Sequence, residues 1–208
     1  MALGNYSQLK TAIENWSHRS DVTELLDDFI DMCETEMYTG DTAQIRMRDM
    51  ITTETSAMSA SVQYQALPTR FLETKRIDAT ISSERYTIDY VTNEQMNIRS
   101  GTGVPSVYTI TSRIEYDIQP DSAYVTNHIH YAKLTALDAT NTTNAILTNY
   151  PNIYLFGCLW ALNVWQEDTE EEAKYKQKFL TAIIGANSAD NRGSRGVSMQ
   201  KRLRARTP

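Results

Sequence analysis

Hydropathy changes its period twice along this chain, and that change constrains the fold more than any other feature. Near the start, Leu9, Ile13 and Trp16 recur at helical spacing, with Asn5 or Ser7 placed to cap the run. Val22, Leu25, Leu26, Phe29, Ile30, Cys33 and Met37 extend the apolar stripe to a stop at Gly40, while Glu24, Asp27, Asp28, Asp31 and Glu34 are assigned to the opposite, polar face. From about Ile51 the period falls to two. Val62, Tyr64 and Ala66, then Tyr86, Ile88 and Tyr90, then Ile114, Tyr116 and Ile118, and finally Val125, Asn127, Ile129 and Tyr131 each alternate with more polar neighbours. Such runs predict half-buried antiparallel strands. Pro68, Ser82-Ser83, Gly101 to Pro105 and Pro120-Asp121 supply turns, and Asn93 to Ile98 a short helical one. After an Asn/Thr-rich loop, Pro151 opens a stretch that is apolar on nearly every face from Ile153 to Val164, which predicts a central helix. Thr169 and Glu172 have capping-box spacing ahead of a last stripe, Tyr175, Phe179, Ala182, Ile183 and Ala186, and Glu170–Lys174 and Glu172–Lys176 are spaced as ion pairs. The pattern fades after Asn187. Helices, then strands, then helices give an α+β fold: a helical bundle formed by the N- and C-terminal helices (1–45 and 145–190), an inserted antiparallel β-rich domain (46–144) and an extended C-terminal arm (191–208).

Charge separates the arm from the rest. Arg192, Arg195, Lys201, Arg202, Arg204 and Arg206 carry +6 with no acid among them, so against a total of −6 the remainder carries −12. At 41% hydrophobic and 22% charged, the rest of the chain has the apolar surface for a core, whereas the arm has too little to fold alone. Cys33 and Cys158 both fall inside apolar helical patterns and read as buried thiols. The first residues lack a basic region followed by an apolar one, and the run Ile153 to Leu162 is too short to span a bilayer, so no membrane partner is expected.

Chemistry leaves little trace. There is no G-x-S-x-G elbow, and neither a third glycine nor a Gly-Lys-Ser/Thr follows Gly101 and Gly103, so nucleotide binding is not supported. The histidines are His18, His128 and His130. His128 and His130 share a strand face as a metal pair would, but no third ligand stands at a recognisable spacing. The pair reads as outward polar residues opposite Ile129 and Tyr131, and neither metal nor cofactor is expected. The carboxylates of the second helix run along one polar side rather than converging as an acid/base pair. The arm lacks interleaved aromatics for base stacking, and a partner protein with a negative surface suits it better than DNA. A nucleic-acid-binding protein using this arm, or a cell-wall hydrolase, remain alternatives.

Several segments resemble the head-to-tail adaptor (tail accessory) proteins of short-tailed phages. They are Leu67-Pro68-Thr69-Arg70-Phe71-Leu72-Glu73, Tyr90 to Met96, and Pro105 with Tyr108-Thr109-Ile110. A longer match runs from Tyr131-Ala132-Lys133 through Asn141-Thr142-Thr143-Asn144 into Tyr150-Pro151-Asn152-Ile153-Tyr154-Leu155-Phe156-Gly157. Asn152 departs from the family pattern, which favours an acid there, and the stretch Ile51 to Ser61 is unusually rich in Thr and Ser. The resemblance implies a structural virion protein and no enzyme. It implies a twelve-subunit ring at the capsid–tail junction, assembled in the host cytoplasm and docked on the portal protein. The ring would extend the channel through which genomic DNA passes without specific binding, and offer a platform to the tail nozzle protein. The arm, with Arg192, Arg195, Lys201, Arg202, Arg204 and Arg206, would be the portal-binding element.

Overall fold

The computed structural model describes residues 3–194 and is a mixed α+β fold. The chain divides into two compact units, Met1–Arg48 with Leu134–Pro208, and Asp49–Lys133.

The first unit holds the helices: α1 (Tyr6–Ser17), α2 (Leu26–Thr39), α3 (Ala145–Asn149), α4 (Pro151–Gln166) and α5 (Thr169–Ser194). Asn5 caps α1 by accepting from the Gln8 N–H at 2.9 Å, and Asn144 caps α3 by accepting from Leu147 N–H at 2.9 Å, each satisfying a donor that the first helical turn leaves orphaned. α4 is central, packed by α1, α2 and α5, as its all-round apolar sequence requires. The closest approach is at Gly157. A Cβ there would collide with Cys33 Sγ and come within 2.9 Å of Phe179 Cε2, so only glycine lets α2 and α5 pack so near. Both cysteines are buried free thiols. Gly157→Ala is expected to cost about 1–3 kcal/mol through overpacking, read as a lower urea midpoint with an unchanged slope.

Local sequence rules fail at α5 for tertiary reasons. The cap is Asp168, whose Oδ1 accepts from Glu171 N–H at 3.2 Å, not Thr169. Lys176 pairs with Glu36 of α2 rather than Glu172, and Lys174 pairs with Glu171 rather than Glu170. The helix also runs past Asn187, where the apolar pattern fades, and polar contacts hold it. Asn187 accepts from Arg46 N–H at 2.9 Å and donates to the Gln44 carbonyl at 2.8 Å. Asp190 accepts from Arg48 N–H at 3.0 Å and Nε at 2.9 Å.

The second unit is built on a seven-stranded sheet with strand order β1-β9-β3-β4-β6-β7-β2. Its strands are β1 (Ile51–Ala57), β2 (Tyr64–Gln65), β3 (Phe71–Ile81), β4 (Glu84–Tyr90), β6 (Val107–Ile110), β7 (Ile114–Tyr116) and β9 (Val125–Ala132), and β5 (Thr102–Gly103) pairs with β8 (Gln119–Pro120) in a small second sheet. Ser82 and Ser83 both take positive φ, 50° and 70°, and make the tight hairpin between β3 and β4. Two pairings are parallel, β4 with β6 and β5 with β8, because the connections 91–106 and 104–118 each bring the chain back in the direction of the earlier strand. The other pairings are antiparallel. The sheet curls until its two end strands approach: Gln65 Nε2 of β2 donates to Ser56 Oγ of β1, and its Oε1 accepts from Tyr116 OH at 2.7 Å. Inside lie Met58, Ile77, Ala79, Ile88, Tyr108, Ile114 and Tyr116.

Candidate interaction surfaces

On the helical unit, α2 presents Asp27, Asp28, Asp31 and Met32 outward, preceded by Glu24. Asp27 is the one tied down: Lys10 Nζ donates to it at 2.8 Å and Tyr6 OH donates as well, and those bonds hold its carboxyl below the usual range. Glu34, assigned by periodicity to the same polar face, is instead buried. Its Oε1 accepts from Tyr154 OH at 2.8 Å and from Leu137 N–H at 3.0 Å, which pins the segment leading into α3. Asn144 Nδ2 in turn donates to the Tyr154 hydroxyl at 2.6 Å. Burial, then the neighbouring Glu34, raises the Tyr154 pKa well above that of a free phenol. Elsewhere on this unit, a groove of about 450 Å³ runs beside α4 and α5 past Phe156, Lys178 and Gly185.

In the β unit, His128 and His130 do share one strand face, as their spacing requires, but it is the inner face and not the outer one. They are 2% and 1% exposed, while Ile129 and Tyr131 are the half-buried residues. The reason is that β9 lies between β1 and β3, and Phe71 covers both imidazoles, with ring centroids 5.7 and 5.9 Å away. His130 Nδ1 donates to the His128 carbonyl at 3.2 Å, which leaves its Nε2 without a partner. His128 Nε2 meets Thr74 Oγ1 at 2.7 Å, and its Nδ1 has no partner. With the proton on Nε2, that vacant position is a bare lone pair rather than an orphaned N–H, the cheaper arrangement. Burial, and next the charge of His130, depress the His128 pKa to about 4.

Asp117 is another buried acid whose role periodicity hides, because it alternates with the core residues Tyr116 and Ile118. Burial pushes its pKa up. Bonds from Ser106 N–H at 3.0 Å, Ser106 OH at 2.9 Å and the Arg99 guanidinium outweigh that and hold it below the usual range. It ties the 99–106 connection to the end of β7.

Of the six basic arm residues, the structure places Arg192, exposed in the last turn of α5 with Nε 3.4 Å from the Ser188 carbonyl. Arg195, Lys201, Arg202, Arg204 and Arg206 lie outside the described residues. Among the described residues no three His, Cys, Asp or Glu side chains are grouped to hold a metal ion, and no helix is long and apolar enough to cross a membrane.

The geometry therefore offers surfaces: an acidic helix face, a groove, and a curled sheet whose buried polar groups brace its own strands. These belong to a mixed α+β protein. The SU10 adaptor protein family matches residues 4–202, and the chain belongs to that family. Its members are phage structural adaptors rather than enzymes, so this chain is a structural component of a virion. No curated protein matches the sequence.

Proposed function

We propose that the protein is the head-to-tail adaptor of a short-tailed phage. Twelve copies form a ring on the portal protein, continue its DNA channel and give the tail nozzle a platform. The helical unit, a bundle assembled from both ends of the chain, forms the body of the ring, and the β unit faces the tail. The observation that carries this reading is the family match along nearly the whole chain, residues 4–202.

Electrostatics supports it. The chain outside the arm carries −12, and a conduit of that sign does not hold passing phosphates. The basic arm, with Arg192, Arg195, Lys201, Arg202, Arg204 and Arg206, docks on the portal, where a cationic segment gains affinity by ordering on an acidic partner. Assembly takes place in the host cytoplasm.

The test is deletion of Arg192 to Pro208, followed by circular dichroism and by mass measurement of complexes with portal rings. The truncated chain is expected to keep its helix and strand content and to lose docking. Retained docking would contradict the role given to the arm, and failure of the full chain to bind any portal ring would contradict the adaptor reading itself.

A further inference from the structure

Helix α4 is apolar round nearly its whole circumference, and α1, α2, α3 and α5 pack against it without covering all of it. Tyr154 bonds Glu34 of α2, and Cys33 of α2 packs at Gly157, so α2 occupies that side. Phe156, two residues beyond Tyr154, lies about 200° further round the helix. There Trp16 of α1 approaches from one flank and Tyr175 of α5 from the other, with ring centroids 6.3 and 6.4 Å from Phe156. The groove opens on this side and continues along Thr181, Ala182, Gly185 and Ala186 of α5. Its α5 wall is shallow, since a Cβ added at Gly185 would meet nothing within 4 Å. Among the described residues, Lys178 is the single charged side chain in the lining, with its ammonium 5.6 Å from the Phe156 centroid.

The outer face of α2 has the opposite character. Met32 stands 40% exposed, beside the exposed carboxylates Asp28 and Asp31. A flexible, unbranched apolar side chain flanked by two acids is the complement of an apolar groove with one cation on its rim. We infer that the occupant of the groove is α2 of a second copy of this chain, with Met32 seated against Ala182 and Gly185, and Asp28 and Asp31 facing Lys178.

Because α2 is held against α4 at Tyr154 and Gly157 while Met32 is exposed, no copy fills its own groove with its own Met32. The contact is heterologous, one face meeting a different face, and repeats from copy to copy until a ring closes. The inference rests on the proposed ring and states which surfaces close it. Each seat is small, and a closed ring multiplies it.

The test is disulfide trapping in the full chain carrying Met32→Cys and Gly185→Cys together, free and on portal rings. Gly185 has room for the new side chain and Met32 is exposed, so the double variant folds. It is expected to give a ladder of covalent oligomers, whereas either single variant gives none beyond dimers. Charge reversal supplies the control against misfolding. Asp31→Lys and Lys178→Glu are each expected to weaken assembly about tenfold, and the two reversals combined restore it. A double-cysteine chain that loads portal rings fully without forming a ladder, or paired reversals that fail to rescue, overturns this contact and leaves the adaptor reading standing. A wild-type chain that binds no portal while the ladder still forms overturns the adaptor reading and keeps the contact.

Discussion

Glu34→Ala is expected to unfold the helical unit at a markedly lower urea concentration, at a cost of about 2–5 kcal/mol. One carboxylate oxygen accepts both the Tyr154 hydroxyl at 2.8 Å and the Leu137 N–H at 3.0 Å, and Glu34 and Tyr154 are buried. Truncation removes the acceptor from both donors at once, and each donor left unpaired in a dry interior costs about 1–3 kcal/mol. The effect reaches further than one helix pair, because the same hydroxyl takes a bond from Asn144, and Asn144 caps α3. Glu34→Gln keeps an amide oxygen in the same place and is expected to recover most of the loss. If the alanine variant matches the wild type, or the glutamine variant is as weak as the alanine one, the acceptor role assigned to Glu34 is wrong.

Acidification is expected to destabilise the β unit through His128, by about 3 kcal/mol between neutral pH and pH 4. The native pKa, about 4, lies below the ordinary value of 6.5. In that window the unfolded chain binds a proton at this residue and the folded chain does not. Stability therefore rises with pH from 4 to 6.5, and it is lost as pH falls through the same range. The structural cause is that protonation would place a new N–H at Nδ1, a buried position with no partner, next to His130 at a ring separation of 4.8 Å. On the neighbouring strands, Glu54 of β1 stands opposite His128 in register, and its carboxylate is exposed; Thr74 and Ile77 of β3 add no charge. Carboxylates such as Asp117 also lose stabilisation in acid, so the measurement is a comparison. Unfolding free energy is followed from pH 7 to pH 5 for the wild type and for His128→Gln. A flatter slope in the variant is the expected result, and equal slopes would refute the assignment.

The sequence by itself determined the helix–strand–helix order, though no alternating run marked β1 or β3. Helical spacing marks α1, α2, α4 and α5, and period two marks β4, β7 and β9 as strands; in β7 the apolar residues are the buried ones, because one buried face imposes its own repeat on the residues that fill it. The all-apolar stretch of α4 likewise announced a helix covered on several sides. Family-like segments such as Tyr150 to Gly157 were legible for the same reason, since they form contiguous elements.

Tertiary structure decided what repeats cannot carry. Period two says that His128 and His130 share a face, but which face is buried depends on β1, β3 and Phe71, residues distant in sequence. Glu34 counts as polar in any helical wheel, yet its partners stand at Leu137 and Tyr154. Asn187 and Asp190 extend α5 through hydrogen bonds to residues 44–48. Lys176 prefers Glu36 to a neighbour on its own helix. The groove beside α4 exists because two flanking helices leave Phe156 partly uncovered. In each case the deciding term is the satisfaction of a polar group, or the covering of an apolar one, by a partner that chain proximity does not supply.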